Sequence, residues 1–295
     1  MMDKAIAWAV VAMLLLAGQP AAAEDCGLKQ LAALDIVILD DGSLAVPVGI
    51  EGVRQLLVVA MERPHTALFS DFTRETKPRT RALPDGIIIG GVSGITTIDE
   101  FRIGSVVSKN VRVLRQEERD VVRADVVGYL ANDILENFEV ELDIAHRKLN
   151  LFDQAHCPGQ LVYWTDAAAV VPFELQEGGA MSLSMELDGK PVTVAFGTKP
   201  GHGTIGLATA KHIGFDPAGH FKTLTMSGIS INEPAIDVVD VKSVSSSMCK
   251  PEKGSFRNII CDGTEVQLGL DEFKGLRIMV SFKEKKLYIT GADAH

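Results

Sequence analysis

Leu130-Ala131-Asn132-Asp133-Ile134-Leu135-Glu136-Asn137-Phe138 opens a stretch that continues through Val140, Leu142 and Ile144 to Arg147-Lys148-Leu149-Asn150-Leu151. At an offset of 138, from Leu130 to Leu268, the chain reads Leu268-Gly269-Leu270-Asp271-Glu272-Phe273-Lys274-Gly275-Leu276, then Ile278, Val280 and Phe282, then Lys285-Lys286-Leu287-Tyr288-Ile289. The two copies align without a gap: Asp133 falls on Asp271, and Lys148-Leu149 on Lys286-Leu287. Similarity at a fixed offset marks a structural unit used twice. A short helical turn followed by a β-hairpin fits both copies.

Two further matches occur upstream in the same order. Gly49-Ile50-Glu51-Gly52-Val53 answers to Glu186-Leu187-Asp188-Gly189-Lys190, each a hairpin turn followed by an apolar strand. Phe101-Arg102-Ile103-Gly104-Ser105-Val106 resembles Leu224-Thr225-Met226-Ser227-Gly228-Ile229. Short runs rich in Val, Ile and Leu recur between turn residues, as in 45–50 and 56–59. Phe138 to Ile144 alternates apolar and acidic residues with period two, the pattern of a half-buried strand. Helices are expected to be few and short, foremost at Ala131 to Glu136 and at Leu207 to Ile213, the second ending before Gly214. The fold class is therefore mainly β, in two halves, 24–157 and 169–295, joined by a linker at 158–168 that follows Cys157-Pro158-Gly159.

At the N-terminus, Lys4 precedes an apolar run from Ala5 to Ala17, then Gly18-Gln19-Pro20 and Ala21-Ala22-Ala23. This order predicts a secretory signal peptide over 1–23. The run is shorter than the roughly 20 residues a spanning helix needs, so stable membrane insertion after cleavage is not expected. The expected location is exported, periplasmic or secreted. The formal charge of −10 comes from scattered acidic residues, with no basic footprint for nucleic acid. An exported chain with Cys26, Cys157, Cys249 and Cys261 is expected to hold disulfides. Three pairings are open. Cys26 with Cys157 and Cys249 with Cys261 is favoured, because the first two bracket the first half and the last two a polar loop.

The order of elements in each half is a hairpin with an acidic-Gly turn, an apolar strand, a loop to a short helix, a Gly-bearing hairpin, Leu-x-x-Asp and a closing strand pair. It resembles the retropepsin-like aspartic protease family, in the bacterial exported form with two lobes on one chain. Val127-Gly128-Tyr129-Leu130-Ala131-Asn132-Asp133 and Val266-Gln267-Leu268-Gly269-Leu270-Asp271 carry the resemblance most strongly. It implies two β-barrel lobes with a cleft between them. It also implies one Asp-Thr/Ser-Gly triplet per lobe, whose two carboxylates share a proton to activate water. Here the triplet falls on Met61-Glu62-Arg63 and on Gly197-Thr198-Lys199, so the degenerate catalytic positions are Met61 and Gly197. Neither can act as a base. Glu62 is one step along and is expected to face the other way. Arg63 and Lys199 replace the triplet glycines and make the cleft floor cationic if both turn inward. Gly86, Gly90 and Gly91 fall where the family folds a flap over its cleft.

Other chemistries find little support. His65, His202 and His212 lack metal-ligand spacing, so no metal and no cofactor are expected. Ser70, Ser93 and Thr204 sit in no nucleophile elbow. The glycine run 197–203 lacks a phosphate loop's Lys-Ser/Thr ending. The expected function is non-catalytic binding of an extended peptide or partner protein in the cleft. The alternatives are an active aspartic-type endopeptidase and a structural protein with a filled cleft.

Overall fold

The computed structural model describes residues 27–83, 91–117, 119, 121, 123–176, 180–215, 220–239 and 265–294. The expected signal peptide, Cys26, Gly86, Gly90, Cys249 and Cys261 lie outside them, so each expected disulfide has at least one cysteine there.

The first half contains β1 (Gln30–Asp35), β2 (Val37–Ile38), β3 (Leu44–Ile50), β4 (Val53–Val59), β5 (Ala67–Phe69), α1 (Ser70–Thr76), β6 (Arg79–Ala82), β7 (Val92–Ile103), β8 (Val106–Gln116), β9 (Val126–Leu130), α2 (Asn132–Leu135), β10 (Glu139–Asp143) and β11 (Lys148–Phe152). The second contains β12 (Ala169–Leu175), β13 (Met181–Leu187), β14 (Lys190–Phe196), β15 (Gly203–Gly206), α3 (Leu207–His212), β16 (Thr223–Met226), β17 (Ile229–Asn232), β18 (Ile236–Val239), β19 (Val266–Gln267), a 3-10 turn at Leu270–Phe273, β20 (Leu276–Ser281) and β21 (Lys286–Gly291).

The repeat is structural. Glu51-Gly52 and Asp188-Gly189 turn their hairpins with both residues at positive φ, 50° and 78° in one and 51° and 74° in the other. This left-handed pair matches the twist of the flanking strands, which explains an acidic-Gly turn in both halves. In each half the hairpin's second strand then takes a parallel neighbour: Leu57 pairs with Gly128, and Val194 with Val266. The strand after the loop slots in on that neighbour's other side, β5 on β9 and β15 on β19. Gly128 permits this crossing, because a Cβ there would lie 2.0 Å from the Ala67 carbonyl oxygen.

The halves join through one antiparallel run of strands ordered β1-β11-β10-β20-β21-β12. At its centre Val140 pairs with Val280, Leu142 with Ile278 and Glu141 with Met279. Glu141 and Met279 are 138 apart, the repeat offset itself, so a pseudo-twofold axis passes between them.

This position corrects the expectation of a half-buried strand. All five residues of β10 are buried, acidic ones included. The Glu139 Oε1 atom lies 2.9 Å from His156 Nε2. Glu141 accepts from Tyr163 Oη at 2.8 Å and from Arg277 Nε at 2.7 Å. Burial, then the Glu141 carboxylate, pushes the Tyr163 hydroxyl up to about 12. Asp143 accepts from the His146 amide at 3.1 Å.

One of these partners, Tyr163, comes from the segment 158–168 expected to be a linker, which packs as a strap. Leu161 is fully buried with Phe152, Met279 and Tyr288. Trp164 Nε1 donates to Thr290 Oγ1 at 3.0 Å, and the Arg277 guanidinium lies 3.9 Å over the Trp164 ring.

Candidate functional site

β4 ends at Val59 and β14 at Phe196, and the loops that follow meet across the pseudo-twofold axis. The hairpin offset of 137, from Glu51 to Asp188, carries unchanged through the parallel pairs at Leu57 and Val194. No residue is inserted between turn and loop, so Gly197 answers to Ala60 and Thr198 to Met61. The sequence reading set Met61 against Gly197, one residue too far along the first lobe.

Thr198 ties the loops together. It is 2 % exposed; its hydroxyl donates to the Val59 carbonyl at 2.6 Å and accepts from the Met61 amide at 3.1 Å. Met61 is fully buried, and its carbonyl accepts from Asn132 Nδ2 at 2.8 Å. Asn132 opens α2, so the first copy of the repeated segment braces the loop directly.

Glu62 crosses from the first lobe into the second. Its Oε2 accepts from the Thr198 amide at 3.0 Å. A Cβ on Gly197 would stand 2.6 Å from Glu62 Cβ and 3.0 Å from Glu62 Oε2. Glu62 thus fills the space that the missing side chain of Gly197 leaves. The period-two rule turned Glu62 away in the sequence reading, but the chain has already left the strand at Val59.

Glu62, Arg63, Thr198 and Lys199 line one cleft of about 520 Å³ together with Asp41, Val58, Val121, Tyr129 and Pro200. Lys199 is exposed, whereas Arg63 is half-buried with its guanidinium 3.9 Å over the Tyr129 ring. Tyr129 meets Phe69 edge-on at 5.3 Å, and Arg119 lies 4.7 Å over Phe69. The Tyr129 hydroxyl is buried with no hydrogen-bond partner among the described residues. Both loop cations do line the cleft, but Glu62 and Asp41 line it too, so its lining carries charge of both signs.

Gly91 immediately precedes β7 at φ +82°, where its carbonyl accepts from the Glu117 amide at 2.8 Å. His65 and His202 are exposed, 3.8 Å from Asp133 and Asp271 respectively. Among the described residues no three His, Cys, Asp or Glu side chains converge as metal ligands would. Ala60, Asp41, Val121 and Tyr129 were missed in the sequence. The offset of 137 between the two hairpin turns would have found Ala60; the others carry no local signal.

Two mainly-β lobes, each crossing a parallel strand pair and joined by a shared antiparallel sheet with paired loops at the dyad, define the two-lobed aspartic-protease-like fold. No family model matches the sequence, and no curated protein is similar to it. Among solved structures, the chain is similar to basic 7S globulin from soybean, with a TM-score of 0.55 and 9% identity over 91% of this chain and 96% of that one. It is similar to conglutin gamma, a basic 7S globulin from lupine seeds, with a TM-score of 0.53 and 7% identity over 91% and 96%. It is also similar to edgp, with a TM-score of 0.56 and 6% identity over 90% and 96%. At these identities the likeness is one of fold.

Proposed function

We propose that this chain is an exported, retropepsin-like protein of the bacterial two-lobe kind that has lost catalysis and holds an extended peptide or a partner protein in its interlobe cleft. One observation carries the reading. Ala60 and Gly197 hold equivalent places in the two lobes and neither carries a carboxylate, while Glu62, which lies against Gly197, is hydrogen-bonded to the Thr198 amide. Shared-proton chemistry needs two carboxylates about 3 Å apart. Apolar wall residues Val58, Val121, Tyr129 and Pro200 beside Arg63 and Lys199 support binding of a mixed apolar and polar segment. Export and the Cys26–Cys157 and Cys249–Cys261 pairings belong to the same proposal, and peptide mapping under non-reducing conditions tests them.

An acid endopeptidase is the second reading, favoured by the presence of Asp41 and Glu62 in one cleft. Cleavage of an unstructured protein by the purified mature chain, from acid to neutral pH and with an aspartic-protease inhibitor, separates the two. Folded protein that cleaves nothing at any pH is the expected result. Inhibitor-sensitive cleavage lost in Glu62→Gln would sink the binding reading.

A further inference from the structure

Charge is unevenly spread along this chain. Against a total of −10, residues 77–116 carry seven Lys and Arg and three Asp and Glu, and they contain β6, β7 and β8. Residues opposite each other on antiparallel strands share a face. The register therefore sets two rows across the outer face of this sheet: Arg81, Ile95 and Leu114 in one, Arg79, Thr97 and Arg112 in the next. The three arginines are exposed, and Ile95 keeps 42% of its surface. Arg79 is ion-paired with Asp99 and donates to Asn110 Oδ1 at 2.8 Å. Arg81 and Arg112 form no ion pair among the described residues.

β6 ends its sheet, and its outer edge has no strand partner among the described residues. Charged side chains on an edge strand discourage accidental pairing, which explains Arg79 and Arg81 without any ligand. It does not explain Arg112, whose strand lies between β5 and β7, or the exposure of Ile95 on β7. A cationic row beside an apolar one, next to an open edge, is a recognition pattern in a chain that is elsewhere acidic.

We infer that the outer face of β6, β7 and β8 docks an acidic, extended segment of a protein partner, which adds to the β6 edge as a further strand. Acidic residues at alternate positions of that segment face Arg79 and Arg81, and its backbone supplies the pairing. Ile95 gives the contact an apolar centre, and Leu114, half-buried against the core cluster that holds Ala67 and Phe69, backs it. None of these residues lines the interlobe cleft, so the inference stands whether or not the cleft holds a peptide.

The test uses the mature chain and a fluorescent peptide of alternating Glu and Val, read by anisotropy, with a Lys-for-Glu peptide and a backbone N-methylated copy as controls. The Glu peptide alone is expected to bind, more weakly as salt rises. Arg81→Glu with Arg112→Glu should weaken it by about tenfold or more, at an unchanged unfolding midpoint. Equal binding of the Lys peptide, or no effect of the paired substitution, overturns the inference. So does binding of the N-methylated peptide, a sulfated polysaccharide or phosphatidylglycerol vesicles as tightly as the Glu peptide, because each removes the need for a strand.

Discussion

Replacing Gly197 by Ala places a methyl group where Glu62 already lies. Carbon atoms pack at about 3.5–4.0 Å. The new Cβ would stand 2.6 Å from Glu62 Cβ and 3.3 Å from Glu62 Cα, so one of the two loops must shift. Overpacking of this kind costs about 1–3 kcal/mol. Swinging Glu62 away relieves the clash but strips the Thr198 amide of a charged acceptor, at about 1.5–3 kcal/mol. The two routes are alternatives, so Gly197→Ala should cost about 2–3 kcal/mol. Gly197 is not among the glycines at positive φ, so its backbone accepts Ala without strain. With Glu62→Gly in place the same change should be neutral, or stabilising by about 0.4–1 kcal/mol through the unfolded state. Urea unfolding of the four proteins measures the coupling. Trp164, the one tryptophan after residue 23, sits on the interlobe strap and reports the transition. An equal penalty for Gly197→Ala with and without the Glu62 side chain would refute the reasoning.

Thr198→Val should cost about 3 kcal/mol, because the Val59 carbonyl and the Met61 amide both lose their buried partner, while Thr198→Ser should recover most of it. Arg277→Ala leaves the fully buried Glu141 without its cation and should cost about 3–5 kcal/mol by denaturant midpoint, with partial recovery on adding Glu141→Gln. Burial, then the charge of Asp271, raises the Glu272 carboxyl. A raised folded-state value means that the associated stability is present below the ordinary carboxylate range and is lost as pH rises through the raised value. Glu272→Gln should therefore gain most over the parent near pH 7 and least near about pH 4 in thermal melts.

The hairpin turns were legible because Glu51-Gly52 and Asp188-Gly189 need left-handed backbone, a demand written in the residue types themselves. The short helices at Asn132 and Leu207 were legible for a similar reason, as apolar turns bounded by β-rich segments and, for the second, by Gly214 at φ +80°. α1 was missed because Ser70-Asp71-Phe72-Thr73-Arg74-Glu75-Thr76 is rich in weak helix formers. It is held by tertiary context and by contacts such as Thr73 Oγ1 to the Ser70 carbonyl at 3.0 Å. β10 misled because its carboxylates look solvated, while the groups that pair them, His156, Tyr163 and Arg277, lie 17, 22 and 136 residues away. At the cleft, Glu62 could be found by type but not by direction, since direction is set by a loop after the strand pattern has stopped.

The central pairing of β10 with β20 also dictates which half can marry which. Two copies of the first half joined in the same register would oppose Glu141 to Glu141 and Glu139 to Asp143, stacking buried like charges on one face. Two copies of the second half would oppose Met279 to Met279 and Arg277 to Ser281, with no such repulsion. In the chain as it stands, Glu141 meets Met279, Glu139 meets Ser281 and Asp143 meets Arg277. The acidic strand of the first half therefore favours the second half over another first half.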